Sequence, residues 1–250
     1  MTQPHIAIYT AAFGGYDQLK PAIPQSLPAD FFCFTDGAGI APRTPWIIRH
    51  SRARPTLSPR MRAKWFKMHP HTLFPHGTLP LATHWPTALR RRGQRYAFTI
   101  WIDASLEIIS PHFARDLIAQ VTPAGLAVFP HPDRDCIFDE AVASTHWAKY
   151  DGQPLLDQVE TYQQEGYPAH AGLTANGVLV RNAAAPHLPA LDESWWQETL
   201  RWSTQDQLSL QPVWWRQGLS PDVINAPLWT NPWFRYHPHP KEEGILPQYK

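Results

Sequence analysis

Residues 97–103, AFTIWID, decide the class of fold: an apolar run of strand length, rich in aromatic and β-branched side chains, that ends in a carboxylate. Continuous apolarity is what a central strand requires when both faces of its sheet are covered. Working outward, further strands are expected at 5–10 (HIAIYT), 31–35 (FFCFT), 46–50 (WIIRH), 106–109 (LEII), 125–129 (GLAVF) and 177–181 (GVLVR). Helices are expected at 60–68, 112–121, 136–147, 155–165, 193–202 and 206–217, the last kinked or broken near Gln211 by Pro212. This alternation predicts one α/β domain over residues 1–250, with a mostly parallel central sheet flanked by helices. Residues 76–95 are polar and without period and read as a surface insertion, whose arginines at 90–92 and 95 form a solvated basic face. Residues 225–250, rich in Pro, Trp and His, read as an extended tail over the body.

The 250 residues carry 22 Lys+Arg against 21 Asp+Glu, a net charge of +1, which excludes nucleic acid as a partner recognised through bulk charge. Charged residues are 17% where about 25% is usual, and the 27 prolines with 13 glycines fall short of the roughly 25–30% that marks low-complexity disorder. A folded, loop-rich chain with 12 tryptophans is expected. No apolar run approaches the roughly 18–20 residues of a membrane helix, the first residues lack the basic start of a signal peptide, and Cys33 and Cys136 are too few for a disulfide framework. The expectation is a cytoplasmic protein; peripheral association with a membrane would leave no mark in such a sequence.

Strand ends carry the groups suited to chemistry. Residues 9–17, YTAAFGGYD, end a strand in a glycine loop, and at the carboxyl edge of an α/β sheet such a loop lets a ligand approach the backbone. It is no GxGxxG phosphate loop, and Gly14-Gly15 alone is an ordinary turn. Asp36 follows the strand FFCFT, where it can accept hydrogen bonds from a ribose. Asp103 closes the central strand as an oxygen ligand for a hard divalent cation carrying a diphosphate. Ser105 stands where a second carboxylate would complete D-x-D, and an Asp after a strand also serves as a turn residue or cap.

In HPDRDCIFDE, 131–140, Asp135 suits a helix N-cap, which leaves His131, Arg134 and Glu140 for a polyhydroxylated ligand, because forked donors and carboxylates bind vicinal hydroxyls in pairs. In STQDQLSL, 203–210, Ser203 or Thr204 suits a cap, while Asp206 and Gln207 present a carboxylate and an amide that can hold a sugar ring. His237 and His239 flank Pro238, and either can offer an imidazole nitrogen to a metal from extended chain.

In this order, the segments IYTAAFGGYD, FTD, KWFKMHPHTLFP, IWIDAS, HPDRDCIFDEA, GLTANGVLVR and DQLS resemble the glycosyltransferase-like domain formerly called domain of unknown function 616. The resemblance implies a GT-A type fold, a nucleotide-sugar donor, with a UDP-sugar favoured, a glycan or other hydroxyl acceptor, and a divalent cation, manganese or magnesium. It places Tyr9, Thr10, Phe13 and Gly14 against the nucleotide, with Asp36, and Arg62, Lys64 and Lys67 near the donor phosphates. It adds His131, Arg134 and Asn176 to the donor contacts. Asp103 is implied as the metal-binding acid, completed by His237 or His239. Asp206 and Gln207 are implied to face the donor sugar, with Asp206 or Glu140 as the candidate base; these three are the catalytic candidates. Ser105, Gln205 in place of the family's usual Arg, and the long 76–94 segment depart from the pattern.

A non-catalytic carbohydrate-binding protein would use the same aromatic richness, and a metal-dependent hydrolase would need a ligand cluster such as H-E-x-x-H, which this sequence lacks. The Trp195-Trp196 and Trp214-Trp215 pairs are expected to turn one ring of each inward. Trp229 and Trp233 are the expected sugar-handling rings.

Overall fold

The computed structural model describes residues 4–74 and 96–238. Its centre is a seven-stranded mixed sheet built from β1 (Ile6–Ala12), β2 (Ala29–Thr35), β3 (Ile47–His50), β4 (Phe98–Ile102), β6 (Leu126–Pro130), β7 (Thr174–Asn182) and β8 (Asp222–Val223). The order is β3-β2-β1-β4-β7-β6-β8. All neighbours are parallel except β7, which runs antiparallel to both β4 and β6. The remaining strands, β5 (Leu106–Ile108) and β9 (Phe234–Tyr236), pair antiparallel in a small second sheet.

Period-2 alternation explains why these runs are apolar throughout. Along β1, Ile6 and Ile8 enter one core while Ala7, Tyr9 and Ala11 enter the other; Phe31 and Cys33 of β2 face the first, Phe32 and Phe34 the second. In β4, Ile100 and Ile102 are separated from Trp101 in the same way. The first core is covered by α3 (Phe113–Ile118) together with Leu228, Trp233 and Phe234 from the end of the described chain. The second is covered by α1 (Pro59–Met68), the short α2 (Pro70–Leu73), α6 (Leu188–Arg201) and α7 (Gln207–Trp215). A third cluster joins α4 (Ile137–Ser144) and α5 (Leu155–Gln164) to Leu208 of α7. The structure is therefore the expected single α/β domain, with a mostly parallel sheet flanked by helices.

Several local expectations are corrected. The helix α7 runs through Pro212 without a break. Proline removes one helical hydrogen bond, but every residue from Leu208 to Trp214 is buried, so packing against α4, α6 and β7 outweighs that local loss. Asp135 does not cap α4: Cys136 takes the N-cap position, and the Asp135 carboxylate bonds His170 Nδ1 at 2.8 Å. Neither Ser203 nor Thr204 caps α7, whose N-cap is Asp206; the Ser203 hydroxyl donates to Gln158 instead. Both rings of the Trp195-Trp196 pair are buried. The proposed insertion at 76–95 lies outside the described residues. No helix among the described residues is long and apolar enough to cross a membrane.

Candidate functional site

The parallel strands β1, β2, β4 and β6 end at one edge of the sheet, and antiparallel β7 begins there, so five chain segments meet where ligands bind in open α/β sheets. Asp103 follows β4, and its amide donates to the Gly177 carbonyl of β7 at 2.8 Å. A cavity of about 510 Å³ opens over this edge. Its walls include Phe13 after β1, Asp103, His131 after β6, Asn176 and Gly177 of β7, and Asp206 and Gln207 at the start of α7.

The helix α1 supplies the cations. Pro59 occupies its first turn and the Ser58 hydroxyl caps it by accepting from the Met61 amide. Arg60, Ala63, Lys64 and Lys67 follow at i, i+3, i+4 and i+7, a single stripe, and all four line the cavity. Trp65, Phe66 and Met68 turn to the core. Lys64 Nζ and Lys67 Nζ both donate to Asp206 Oδ2, at 2.8 and 2.7 Å. Burial alone would disfavour the Asp206 charge, but the two ammonium groups outweigh it and hold the carboxyl well below the usual carboxylate range. Burial pulls the Lys64 ammonium down, against the support of Asp206. Asp103 shows the opposite balance: burial raises its pKa, Lys67 and the Trp101 indole partly restore it, and nearby Asp206 adds to the rise. Trp101 Nε1 donates to Asp103 Oδ1 at 2.7 Å.

A second network runs from Glu140 to Gln205 and Gln207, the two neighbours of Asp206. Glu140 Oε1 accepts from Gln205 Nε2 at 2.7 Å and from the Ser144 hydroxyl at 3.0 Å, while Oε2 accepts from Arg134 Nε at 2.7 Å. Gln205 also accepts from the Tyr150 hydroxyl and reaches Gln207 Oε1, whose own amide donates to the Thr174 carbonyl. Gln205, met in the sequence only as a lost Arg, is thus the buried joint between Glu140 and Gln207. His131 Nδ1 accepts from the amides of Asp133 and Arg134, which leaves the proton on Nε2, 3.6 Å from Glu140. Burial lowers its pKa, against the pull of Glu140, so the ring is held neutral.

The structure brings Phe13, Lys64, Lys67, Asp103, His131, Glu140, Asn176, Asp206 and Gln207 to one cavity. Ser105, Gln205 and Trp229, also singled out in the sequence, line it too, whereas Tyr9, Thr10, Gly14, Asp36, Arg62, Arg134 and His237 do not. Tyr9 is a core ring whose hydroxyl donates to the Lys67 carbonyl, and Thr10 is fully buried beside it. Arg62 bonds the Ser51 and Ala53 carbonyls and lies 4.0 Å over the Phe13 ring. Arg134 touches the site through Glu140. His237 Nε2 bonds Glu107 at 2.7 Å, and His239 lies outside the described residues. Arg60 and Tyr150 were missed, although the helical spacing of 60, 64 and 67 puts Arg60, not Arg62, on the lysine face.

Asp36 and Gly14 act on the site from behind. The Gly14 amide donates to Asp36 Oδ2 at 3.0 Å, and Arg62 pairs with the same oxygen at 3.5 Å. Gly14 has φ +65°, and a Cβ there would lie 2.7 Å from Pro59 Cγ, against the start of α1. Gly14→Ala combines left-handed strain with that clash, so a loss of about 1–3 kcal/mol is expected. A melting temperature lower by roughly 2–12 °C in calorimetry would show it; an unchanged melting temperature would contradict the close approach.

The donor set suits a hard cation that arrives with phosphates. Asp103 Oδ2 has no hydrogen-bond partner among the described residues, and Asp103 and Ser105 both line the cavity. One carboxylate plus ligand phosphates is a common shell for magnesium. Among the described residues, the one group of three or more potential metal ligands, Cys136, Asp139 and His170, lies outside this cavity.

No curated protein matches the chain. A model of the TOD1/MUCI70 glycosyltransferase-like domain matches residues 88–225, more than half of the chain, and takes in Asp103, His131, Glu140, Asn176, Asp206 and Gln207. That match bears out the glycosyltransferase-like resemblance read from the sequence, and the chain belongs to the TOD1/MUCI70 glycosyltransferase-like domain family.

Proposed function

We propose that the cavity binds a nucleotide-diphosphate sugar, by preference a UDP-sugar, and transfers the sugar to a hydroxyl of a glycan or similar acceptor in polysaccharide biosynthesis. The observation that carries this reading is the Lys64, Lys67 and Asp206 cluster facing Asp103 across the cavity. When the bond to the sugar breaks, the leaving diphosphate gains negative charge, and preorganised cations at that position lower the barrier. Lys64 and Lys67 stand ready there, both held by Asp206 Oδ2 until phosphate oxygens compete for them. Arg60 extends the same cationic stripe toward the cavity mouth.

Arg60, Lys64, Lys67 and Lys149 in the lining stand against Asp17, Asp103, Asp133, Glu140 and Asp206, so a diphosphate leaves the cavity net negative. A manganese or magnesium ion held by Asp103 and the ligand phosphates would supply the missing positive charge. Gln207 and Asp206 hold the sugar. Glu140 is held by three donors within 3.0 Å, which suits it to position Gln207 through Gln205 and leaves Asp206 as the better-placed candidate base.

A thermal-shift panel of nucleoside diphosphates and nucleotide-sugars, with and without manganese, tests this. A ligand binding only the native state at 100 times its Kd stabilises by about 2.7 kcal/mol, which for a chain of this size raises the melting temperature by roughly 5–10 °C. At least one nucleotide should do so. No response to any nucleotide sinks the reading and leaves a carbohydrate-binding domain.

A further inference from the structure

Exposed aromatic rings are gathered in one place. Among the described residues, the aromatics in the exposed class of large hydrophobics are Trp147, Trp229 and Tyr236, at 41, 55 and 39% exposure, and all three border the one cavity described above. The other tail tryptophan, Trp233, is a core residue that donates to Asp116. A chain that buries Trp195, Trp196, Trp214 and Trp233 has a use for the rings it leaves in water, because burying a ring of that size is strongly favourable.

The three rings come from two segments. Trp147 follows α4 and carries Lys149 Nζ 5.5 Å from its ring. Trp229 and Tyr236 belong to the end of the described chain and meet with ring centroids 5.3 Å apart. Tyr236 is fixed from behind, since β9 pairs it with Leu106 and the His237 amide donates to the Ser105 carbonyl. The rim is therefore anchored within three residues of Asp103. A nucleobase needs one flat slot; rings on two separate segments around a cavity mouth offer several stacking faces with polar groups between them, which is the pattern a row of sugar rings presents in reverse. Each pyranose has an apolar C–H face and a hydroxylated edge. Asp17, Asp133 and Lys149 also line the cavity, with Lys149 beside the Trp147 ring, and supply polar groups to the same surface.

We infer that Trp229 and Tyr236, with Trp147, form a saccharide-binding rim that holds an oligosaccharide acceptor at the mouth of the cavity. This rests on the transferase reading for the word acceptor, but the binding itself can be tested separately. The full chain is titrated with cellohexaose, maltohexaose and chitohexaose by intrinsic tryptophan fluorescence and calorimetry, alongside uridine and adenosine. At least one hexasaccharide should bind. Trp229→Ala and Tyr236→Ala should each weaken it about tenfold or more, and Trp229→Phe, which keeps a ring, should stay within about threefold of the native chain.

Trp229 is more than half exposed, so its truncation is not expected to unfold the chain, and a melting curve of each variant checks this. Failure of all three hexasaccharides to bind overturns the inference, as does native affinity in Trp229→Ala. Loss of nucleoside binding rather than saccharide binding in that variant also overturns it and makes the rim a base site. Saccharide binding through Trp229 in a protein that answers no nucleotide keeps the rim and removes the transferase reading; nucleotide binding without any saccharide response does the reverse.

Discussion

Asp103→Asn is expected to lower sugar transfer about 10²–10³-fold while the melting temperature stays within a few degrees of the native value. The asparagine side chain keeps an oxygen for the Trp101 indole, now 2.7 Å from Asp103 Oδ1, so the local fold has no donor left stranded. What disappears is the second carboxylate oxygen, Oδ2, which has no hydrogen-bond partner among the described residues. If that oxygen anchors positive charge against the leaving diphosphate, its loss removes a transition-state contact of the kind worth about 2.7–4 kcal/mol. Steady-state kinetics should place the loss mainly in kcat, because an interaction that strengthens as charge develops acts on the transition state more than on donor binding. Retained transfer in a folded Asp103→Asn chain would show that the lysines alone carry the leaving group, and the assignment of Asp103 would fall.

Asp206→Asn is expected to act first on stability. Two ammonium groups converge on one carboxylate oxygen, and the Asp206 side chain is only 5% exposed. Removing one partner from a buried ionic cluster costs about 3–5 kcal/mol, because the remaining charges stay buried without a counter-charge. A melting temperature lower by roughly 6–20 °C near neutral pH is the corresponding reading.

The pH dependence follows from the depressed pKa of Asp206. Its stabilising effect is fully present above the unfolded-state value of about 3.9 and is lost as pH falls toward the lower folded-state value. The unfolded chain takes up the proton first, so the gap between the native chain and the variant should narrow by about 1.4 kcal/mol per pH unit below about pH 4. Urea denaturation at pH 7, 4 and 3 would measure it. A gap that widens toward acid would mean that another group holds the lysines.

Which parts of this site were legible in the sequence depended on whether one segment sufficed to read them. The strands were legible because a sheet covered on both faces makes runs such as AFTIWID and HIAIYT apolar at most positions, and chain order then brings Asp103 and the glycine loop to a strand end. The direction of β7 was not: GVLVR packs equally well either way round, yet its antiparallel course is what puts Asn176 and Gly177 beside Asp103. The lysine stripe was half legible. Spacing along α1 puts 60, 64 and 67 together, but the partner of Lys64 and Lys67 lies 142 and 139 residues away, and no local pattern announces it.

Capping failed for the same reason. Ser203 and Asp135 satisfy the composition of an N-cap, but distant groups, Gln158 and His170, hold their side chains. The tail gave the least. Phe234–Tyr236 is too short to show alternation, so the difference between buried Trp233 and exposed Trp229 came only with the pairing to Leu106 through Ile108.

That last pairing sets a schedule for the molecule's synthesis. Leu106 meets Tyr236 only after 130 further residues have been made, and the rings of Phe113 and Phe129 meet Phe234 only after 121 and 105. At about 5–20 residues per second the wait is roughly 6–26 s on the ribosome. During that interval one face of the central sheet lacks its cover of Leu228, Trp233 and Phe234. The nascent chain therefore passes through a stage with its sheet half dressed, when a holding chaperone has most to bind and when crowding of polysomes is most costly in aggregation.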